Sequence, residues 1–252
     1  MSGALEGRTA LVTGAGRNIG RAIALALAAE GAWVAVNARS NRDEAEAVAA
    51  EIAERGGRSL AVLADVADAD AVARMTGHVL SEFGGLDILV NNAAIRAEVP
   101  FAEMGYVAWR RVLDVCLDGA FHCTKAALPA LIASDAGTVV NIGGLTGHAG
   151  AAERAHVITA KAGLAGFTRA LANDLAPHDV TVNLVAPGMM DTVRAPGSTG
   201  GTPRHHVNRT ALLGRKGQPE EVAAAVVWLA GPGGRFVTGQ SIHVNGGAWL
   251  GG

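Results

Sequence analysis

The sequence predicts one α/β domain spanning residues 1–252: a doubly wound parallel sheet between two layers of helices. Three observations predict it. Short β-branched runs alternate with Ala-rich stretches of helical length along the whole chain. Half of the 252 residues are hydrophobic and 17% are charged, which is enough apolar surface for a sheet buried on both faces. No stretch reads as a linker that would divide the chain.

Taken in order, residues 9–13 (TALVT) read as the first strand and 21–30 as the helix after it. Strand 34–37 precedes helix 42–55, strand 60–64 precedes helix 69–83, and 87–91 (DILVN) is a fourth strand. A long helical region at 106–133 leads to strand 138–142 (TVVNI), and helix 155–175 leads to strand 181–185. Helix 219–230 and a last strand at 241–244 complete the series. The irregular stretch is 194–217, rich in Gly, Pro, Ser and Thr, within a substrate loop expected near 190–217. A loop of that length in a compact domain is usually functional.

Composition narrows the partners. The formal net charge is −2 and no long block of like charge appears, which argues against nucleic acid and anionic membranes. Apolar runs are broken by Gly, Pro or charges short of a membrane span, and no basic leader with an apolar run opens the chain. A cytoplasmic protein is the expectation. Cys116 and Cys123 match no metal or redox spacing, so they read as buried thiols, and no metal site is expected.

The most informative segment is the turn Thr13-Gly14-Ala15-Gly16-Arg17-Asn18-Ile19-Gly20. A strand feeds Gly14 and a helix starts near Asn18. Glycines let the backbone turn sharply, and the free N–H groups and dipole of a helix start favour an anion. The spacing is T-G-x-G-x-x-x-G, not the common G-x-G-x-x-G fingerprint. The plain alternative is a glycine-rich strand–helix turn without a ligand.

The turn resembles the T-G-x-x-x-G-x-G of the short-chain dehydrogenase/reductases, whose fold is Rossmann-type. The resemblance covers residues 5–247. It includes Asp65-Val66, Asn91-Asn92-Ala93-Ala94, and Asn183-Leu184-Val185-Ala186-Pro187-Gly188. Thr238-Gly239-Gln240 and Val244-Asn245-Gly246-Gly247 extend it to the end. Asn18 departs from the family, standing where a glycine is usual; asparagine tolerates positive φ better than most residues.

The resemblance implies a nicotinamide dinucleotide. Gly14, Arg17, Asn18, Ile19 and Gly20 would hold the pyrophosphate, and Asp65 and Val66 would flank the adenine. Asn91, Ala93 and Lys161 would line the ribose, and Pro187, Gly188 and Thr192 would meet the nicotinamide. Enzymes that select NAD place an acid at the end of the second strand. Here that position is Ala38, followed by Arg39, with Arg17 in the turn. A guanidinium suits a 2′-phosphate, so NADP(H) is favoured over NAD(H). A plain surface role for Arg39 is the alternative.

The family reduces carbonyls with a Tyr-x-x-x-Lys pair, a serine and an asparagine. In this chain the pair reads Val157-Ile158-Thr159-Ala160-Lys161, so only the lysine remains. The serine position falls on Gly144 and the asparagine position on Cys116; the one tyrosine is Tyr106. Cys116, Gly144 and Val157 are therefore the expected substrate pocket, and Lys161 the expected catalytic residue. Lys161 is one of three lysines against eighteen arginines. His148, His156 and Thr159 are weaker substitutes. Arg194, Arg204, His205, His206 and Arg209 would suit an anionic substrate, or are ordinary loop charge.

Three functions compete. The first is an NADP(H)-dependent oxidoreductase of a small carbonyl, alcohol or imine with a non-standard or absent proton donor. The second is a catalytically silent NADP(H)-binding sensor or partner subunit. The third is a lyase or isomerase using the nucleotide as scaffold. The family's habit implies a homo-oligomer, tetramer or dimer, with the Ala248-Trp249-Leu250 tail suited to subunit contact or to a small cluster within one chain.

Overall fold

Seven parallel strands lie side by side in the order β3-β2-β1-β4-β5-β6-β7. They are β1 Thr9–Val12, β2 Trp33–Ala38, β3 Ser59–Leu63, β4 Ile88–Asn91, β5 Thr138–Ile142, β6 Thr181–Pro187 and β7 Ser241–Val244. The computed structural model describes residues 3–193 and 210–251. Every residue of β1, β4, β5 and β6 is buried, which explains why these strands read as apolar runs without alternation.

Among the described residues, eight α-helices cover the sheet: α1 Asn18–Ala29, α2 Arg42–Glu54, α3 Ala69–Phe83, α4 Tyr106–Leu113, α5 Gly119–Ala133, α6 Thr146–Ala149, α7 Ala155–Leu175 and α8 Pro219–Ala230. Ile23 and Leu27 of α1, Val48 and Ile52 of α2, and Val226 and Leu229 of α8 fill one face. Val72 and Val79 of α3, Leu131 of α5 and Leu175 of α7 fill the other. Asn41 caps α2 and Asp68 caps α3 through their side chains, and Gly84 closes α3 in the left-handed region.

Besides an earlier start of α1 and the added short α6, two elements differ from the sequence expectation. The single helix at 106–133 is two helices joined by a π-type turn at Asp114–Asp118. Arg110 reaches both Asp114 and Asp118, at 2.5 and 2.7 Å, across the wide turn. Tyr106–Ala133 is also long and apolar enough by length and composition to cross a membrane. The sequence reading put its apolar runs short of that; here α5 packs on α3 and the sheet, and α4 on α7. Strand β6 also runs two residues beyond 185, because Ala186 and Pro187 still pair with His243 and Val244. Proline is tolerated there because it sits at the strand end.

Strand order reverses between β1 and β4, so their carboxyl ends open a crevice. The glycine-rich turn leaves β1 there, and Asn92 and Ala93 leave β4.

Candidate active site at the switch point

Three side chains pin the turn. Thr13 Oγ1 accepts from the Asn92 and Ala93 amides at 2.9 and 3.0 Å. Asn92 Nδ2 donates to the Thr13 and Gly14 carbonyls at 2.8 and 2.9 Å. Asn37 Oδ1 accepts from the Gly14 amide at 3.2 Å. Gly14 holds φ +60°, and a Cβ there would lie 2.9 Å from the Ala93 Cα, so this position is closed to other residues. Arg17 precedes α1 in extended conformation and its side chain caps nothing. The N–H groups at the start of α1 therefore lack a side-chain acceptor, the chemistry of an anion site. The Arg17 guanidinium lies 3.9 Å from Glu44. Arg39 is exposed at the end of β2.

Asn18 takes φ +51°, which accounts for asparagine rather than a branched residue. Its side chain turns to the segment after β6: Nδ2 donates to the Val193 carbonyl, and Oδ1 accepts from the Val193 amide, both at 2.9 Å. This pair joins the turn to the segment that carries Thr192. Ile19 and Gly20 are buried in the first turn of α1.

Below the turn, a narrow crevice is lined by Thr13, Val66, Asn91, Ala93, Cys116 and Gly119. Asn91 Nδ2 donates to Asn141 Oδ1 at 2.9 Å and to Thr124 Oγ1 at 3.1 Å. Its Oδ1 is buried with no partner among the described residues. Asp65 Oδ1 accepts from the Ala67 amide at 3.0 Å.

The far end of the cleft is built around Lys161. Its side chain is buried, and Nζ donates to the Ile142 carbonyl at 2.6 Å. Burial, opposed in part by Cys116 and helped by the charges of Arg96 and Arg154, pushes its pKa down. Val157 packs with Cys116, Val112 and Ala160 in a small buried apolar cluster. The Cys116 Sγ, on the π-type turn, accepts from the Ile95 amide at 3.3 Å. At Gly144 an added Cβ would meet no atom within 4 Å, so the gap beside it is open. Pro187 ends β6, its carbonyl accepting from the Leu145 amide at 2.9 Å, and the Gly188 amide donates to the Val244 carbonyl at 2.9 Å. Thr192 Oγ1 accepts from Arg96 at 3.1 Å.

The sequence reading missed Arg96 and Arg154. Arg154 is 7% exposed and stands one helical turn before Val157, a spacing that signals a shared face. Arg96 follows the Asn91–Ala94 motif directly. His156 is fully buried and neither ring nitrogen has a hydrogen-bond partner among the described residues; burial pushes its pKa down. His148 meets His243 edge to face and Trp249 at a tilt, with ring centroids 4.6 and 5.3 Å away. Trp249 thus belongs to a cluster within one chain, while Leu250 is exposed. Tyr106 opens α4 and is exposed. Arg194, Arg204, His205, His206 and Arg209 lie outside the described residues. Among the described residues on either side, Met190 bridges Gly217 and the Asp191 amide donates to the Gly217 carbonyl at 2.7 Å.

Known proteins resemble this chain in sequence and fold. The family model described as Enoyl-(Acyl carrier protein) reductase matches residues 14–248. A 3-oxoacyl-[acyl-carrier-protein] reductase of Staphylococcus aureus is 40% identical over 243 residues, covering 96% of this chain and 98% of its own. A dehydrogenase/reductase structure from Sinorhizobium meliloti superposes with a TM-score of 0.91 at 39% identity, covering 98% of this chain and 96% of its own. A short-chain dehydrogenase from Burkholderia cenocepacia in complex with NADP gives 0.89 at 36% identity, covering 97% and 99%. With its seven-stranded parallel sheet, its switch-point crevice and relatives matched over nearly their whole length, the chain belongs to the short-chain dehydrogenase/reductase family of oxidoreductases.

Proposed function

We propose that the protein is an NADP(H)-dependent oxidoreductase that moves a hydride to or from a small carbonyl, alcohol or imine, with Lys161 in place of the family's tyrosine as proton donor. The observation that carries this reading is the buried Lys161, whose ammonium uses one of its three donors on the Ile142 carbonyl. It stands one helical turn after Val157, and in our reading of the family resemblance Val157 and Gly144 occupy the places of a tyrosine and a serine.

The residues fit a dinucleotide. The uncapped start of α1 offers donors suited to a pyrophosphate, Gly14 leaves room for its close approach, and Asn91 Oδ1, without a partner among the described residues, is an acceptor suited to a ribose hydroxyl. Gly14, Arg17, Asn18, Ile19 and Gly20 would hold the pyrophosphate, and Arg39 the 2′-phosphate. Asp65 and Val66 would flank the adenine, and Asn91, Ala93 and Lys161 would line the ribose. Pro187, Gly188 and Thr192 would meet the nicotinamide. The NADP complex of the Burkholderia relative supports the choice of NADP(H).

The dinucleotide supplies the hydride when bound. Lys161 then has two tasks: holding a hydroxyl near the reacting carbon, and passing a proton to the substrate oxygen as it gains electrons. A lysine with lowered pKa is a better acid near neutrality than an ordinary one. The apolar wall of Val157, Ala160 and Val112 keeps bulk water from that proton. Cys116, Gly144 and Val157 would line the substrate pocket, and the substrate loop expected near 190–217 lies largely outside the described residues. A single domain over 1–252, assembled as a homodimer or homotetramer in the cytoplasm, completes the proposal.

Incubating the protein with NADPH and a panel of ketones, aldehydes and preformed iminium ions tests it. Oxidation of NADPH above background is expected, strongest with the iminium substrates, which need no added proton. Tight NADPH binding without oxidation of any of them would establish a silent nucleotide-binding protein instead.

A further inference from the structure

The glycine-rich turn holds one glycine that the spacing T-G-x-x-x-G-x-G does not demand. The place of Gly16 is free in that spacing, and Gly16 is not among the residues with positive φ. What it meets is Glu44 in the first turn of α2. An added Cβ would lie 3.0 Å from the Glu44 Cβ and 3.3 Å from its Oε2, tighter than ordinary contact. Glycine at this place lets α2 set a carboxylate against the turn. The same carboxylate lies 3.9 Å from the Arg17 guanidinium, the two side chains being 38% and 50% exposed. Nor is that carboxylate occupied in capping its own helix. Glu44 stands three residues after the N-cap Asn41, whose Oδ1 accepts from the Glu44 amide at 3.3 Å. An acid at this position commonly bends back to the N-cap amide. In α8 it does so, Glu221 Oε2 accepting from the Gln218 amide at 2.7 Å. In α2, among the described residues, that returning bond is not formed, and the Glu44 carboxylate faces Arg17 instead.

Resting on the proposed dinucleotide site, we infer that Glu44 is a specificity-determining residue that tempers the preference for NADP(H) over NAD(H). Only Arg39, Ser40 and Asn41 separate the end of β2 from α2, so Glu44 stands at the adenine-ribose end of the site, where the two dinucleotides differ. A 2′-phosphate brings a charge of roughly −1.5 to −2 at neutral pH. It meets a carboxylate already fixed beside the turn, and it must draw Arg17 away from that carboxylate. NAD(H) brings two hydroxyls to the same end, and a carboxylate accepts from hydroxyls. Arg17 and Arg39 pull toward the phosphorylated dinucleotide, and Glu44 pulls the other way. Both pairs of charges are partly exposed, so the effect is modest and sensitive to salt.

Fluorescence titration of the full chain with NADPH and with NADH reads the ratio of the two Kd values. Glu44→Gln keeps the length of the side chain and removes its charge. It is expected to tighten NADPH by about fivefold, the upper range for a partly exposed charge pair, and to leave NADH unchanged or slightly weaker. The gain over the parent chain should vanish in about 1 M salt, where screening acts within about 3 Å; a merely structural change would persist there. In an Arg17→Gln background the same substitution should give a smaller gain, because the pair it breaks is already gone. Asp43→Asn removes an equal charge one residue earlier and should move the ratio less. An unmoved ratio, equal tightening of both dinucleotides, or an equal effect of Asp43→Asn overturns the role of Glu44 and leaves the dinucleotide site standing. A parent chain that binds neither NADPH nor NADH overturns both.

Discussion

Around the β1–α1 turn, the polar side chains and the backbone bond one another: Thr13, Asn37 and Asn92 each bond at least one atom of the turn or of the strand end beside it. At the β5–α7 end of the same cleft the walls are Val157, Ala160, Val112 and Cys116, and the polar groups among them are a buried lysine and two arginines. One end is a rigid cradle of neutral hydrogen bonds. The other is an apolar chamber with concentrated positive charge. The contrast teaches that gripping the nucleotide and handling the proton are separately encoded, so one can change while the other stays.

Removing Lys161 should break the charged end most severely. Lys161→Ala is expected to reduce turnover by about 10²–10⁴-fold, the usual worth of general acid assistance, with a smaller loss of NADPH affinity. Steady-state kinetics beside a fluorescence titration separate the two; equal losses in both would reduce Lys161 to a ribose contact. Restoring the family's chemistry is the converse change. Gly144→Ser enters open space, whereas Val157→Tyr must displace a packed cluster, so the double variant should raise reduction of plain ketones by roughly 100-fold only after that repacking. No gain, with the new tyrosine hydroxyl seen beside Lys161, would show that more than the missing acid limits the chain.

The neutral end is tested at Gly14. Gly14→Ala places a Cβ 2.9 Å from the Ala93 Cα at φ +60°, and should cost about 1–3 kcal/mol of stability along with NADPH binding. Melting with and without NADPH measures both, and an unchanged protein would mean the turn is more adaptable than its bonds suggest. Arg39→Ala should shift the NADPH over NADH preference by about tenfold, the worth of one charge-assisted contact; an unmoved ratio assigns the 2′-phosphate to another residue.

The smallest effect is a pH dependence. Lys161 has a folded pKa below its ordinary value of 10.5. Between the two values the unfolded chain binds more protons, so this group makes the protein gain stability as pH rises through that alkaline window. Lys161→Met should show a flatter profile over the alkaline range below 10.5, read by denaturant titration. A steeper profile in the variant would contradict the burial of that charge.

The strands were legible because each is a short apolar run, and burial on both faces leaves no other pattern. The turn was legible because its glycines are adjacent in sequence. Asn18 was not: its partner Val193 lies 175 residues away, and nothing local to either residue announces the pairing. Arg154 was passed over because its burial depends on the approach of residues 95–99, a tertiary event. The π-type turn at 114–118 leaves the helical apolar period almost undisturbed, so a continuous helix was the natural reading. The tail divided for a similar reason: Trp249 finds His148 and His243 in its own chain, whereas Leu250 finds no such cover.

The reciprocal bonds between Asn18 and Val193 carry a consequence for timing. If the dinucleotide passes between the turn and the segment holding Thr192, both bonds must open at every exchange. Two exposed hydrogen bonds, at about 1 kcal/mol each, slow such an opening by roughly 10- to 30-fold. A family glycine at position 18 would have no side chain with which to form that strap. Asn18 therefore acts on how fast a cofactor exchanges, and Asn18→Gly should speed both its departure and its arrival.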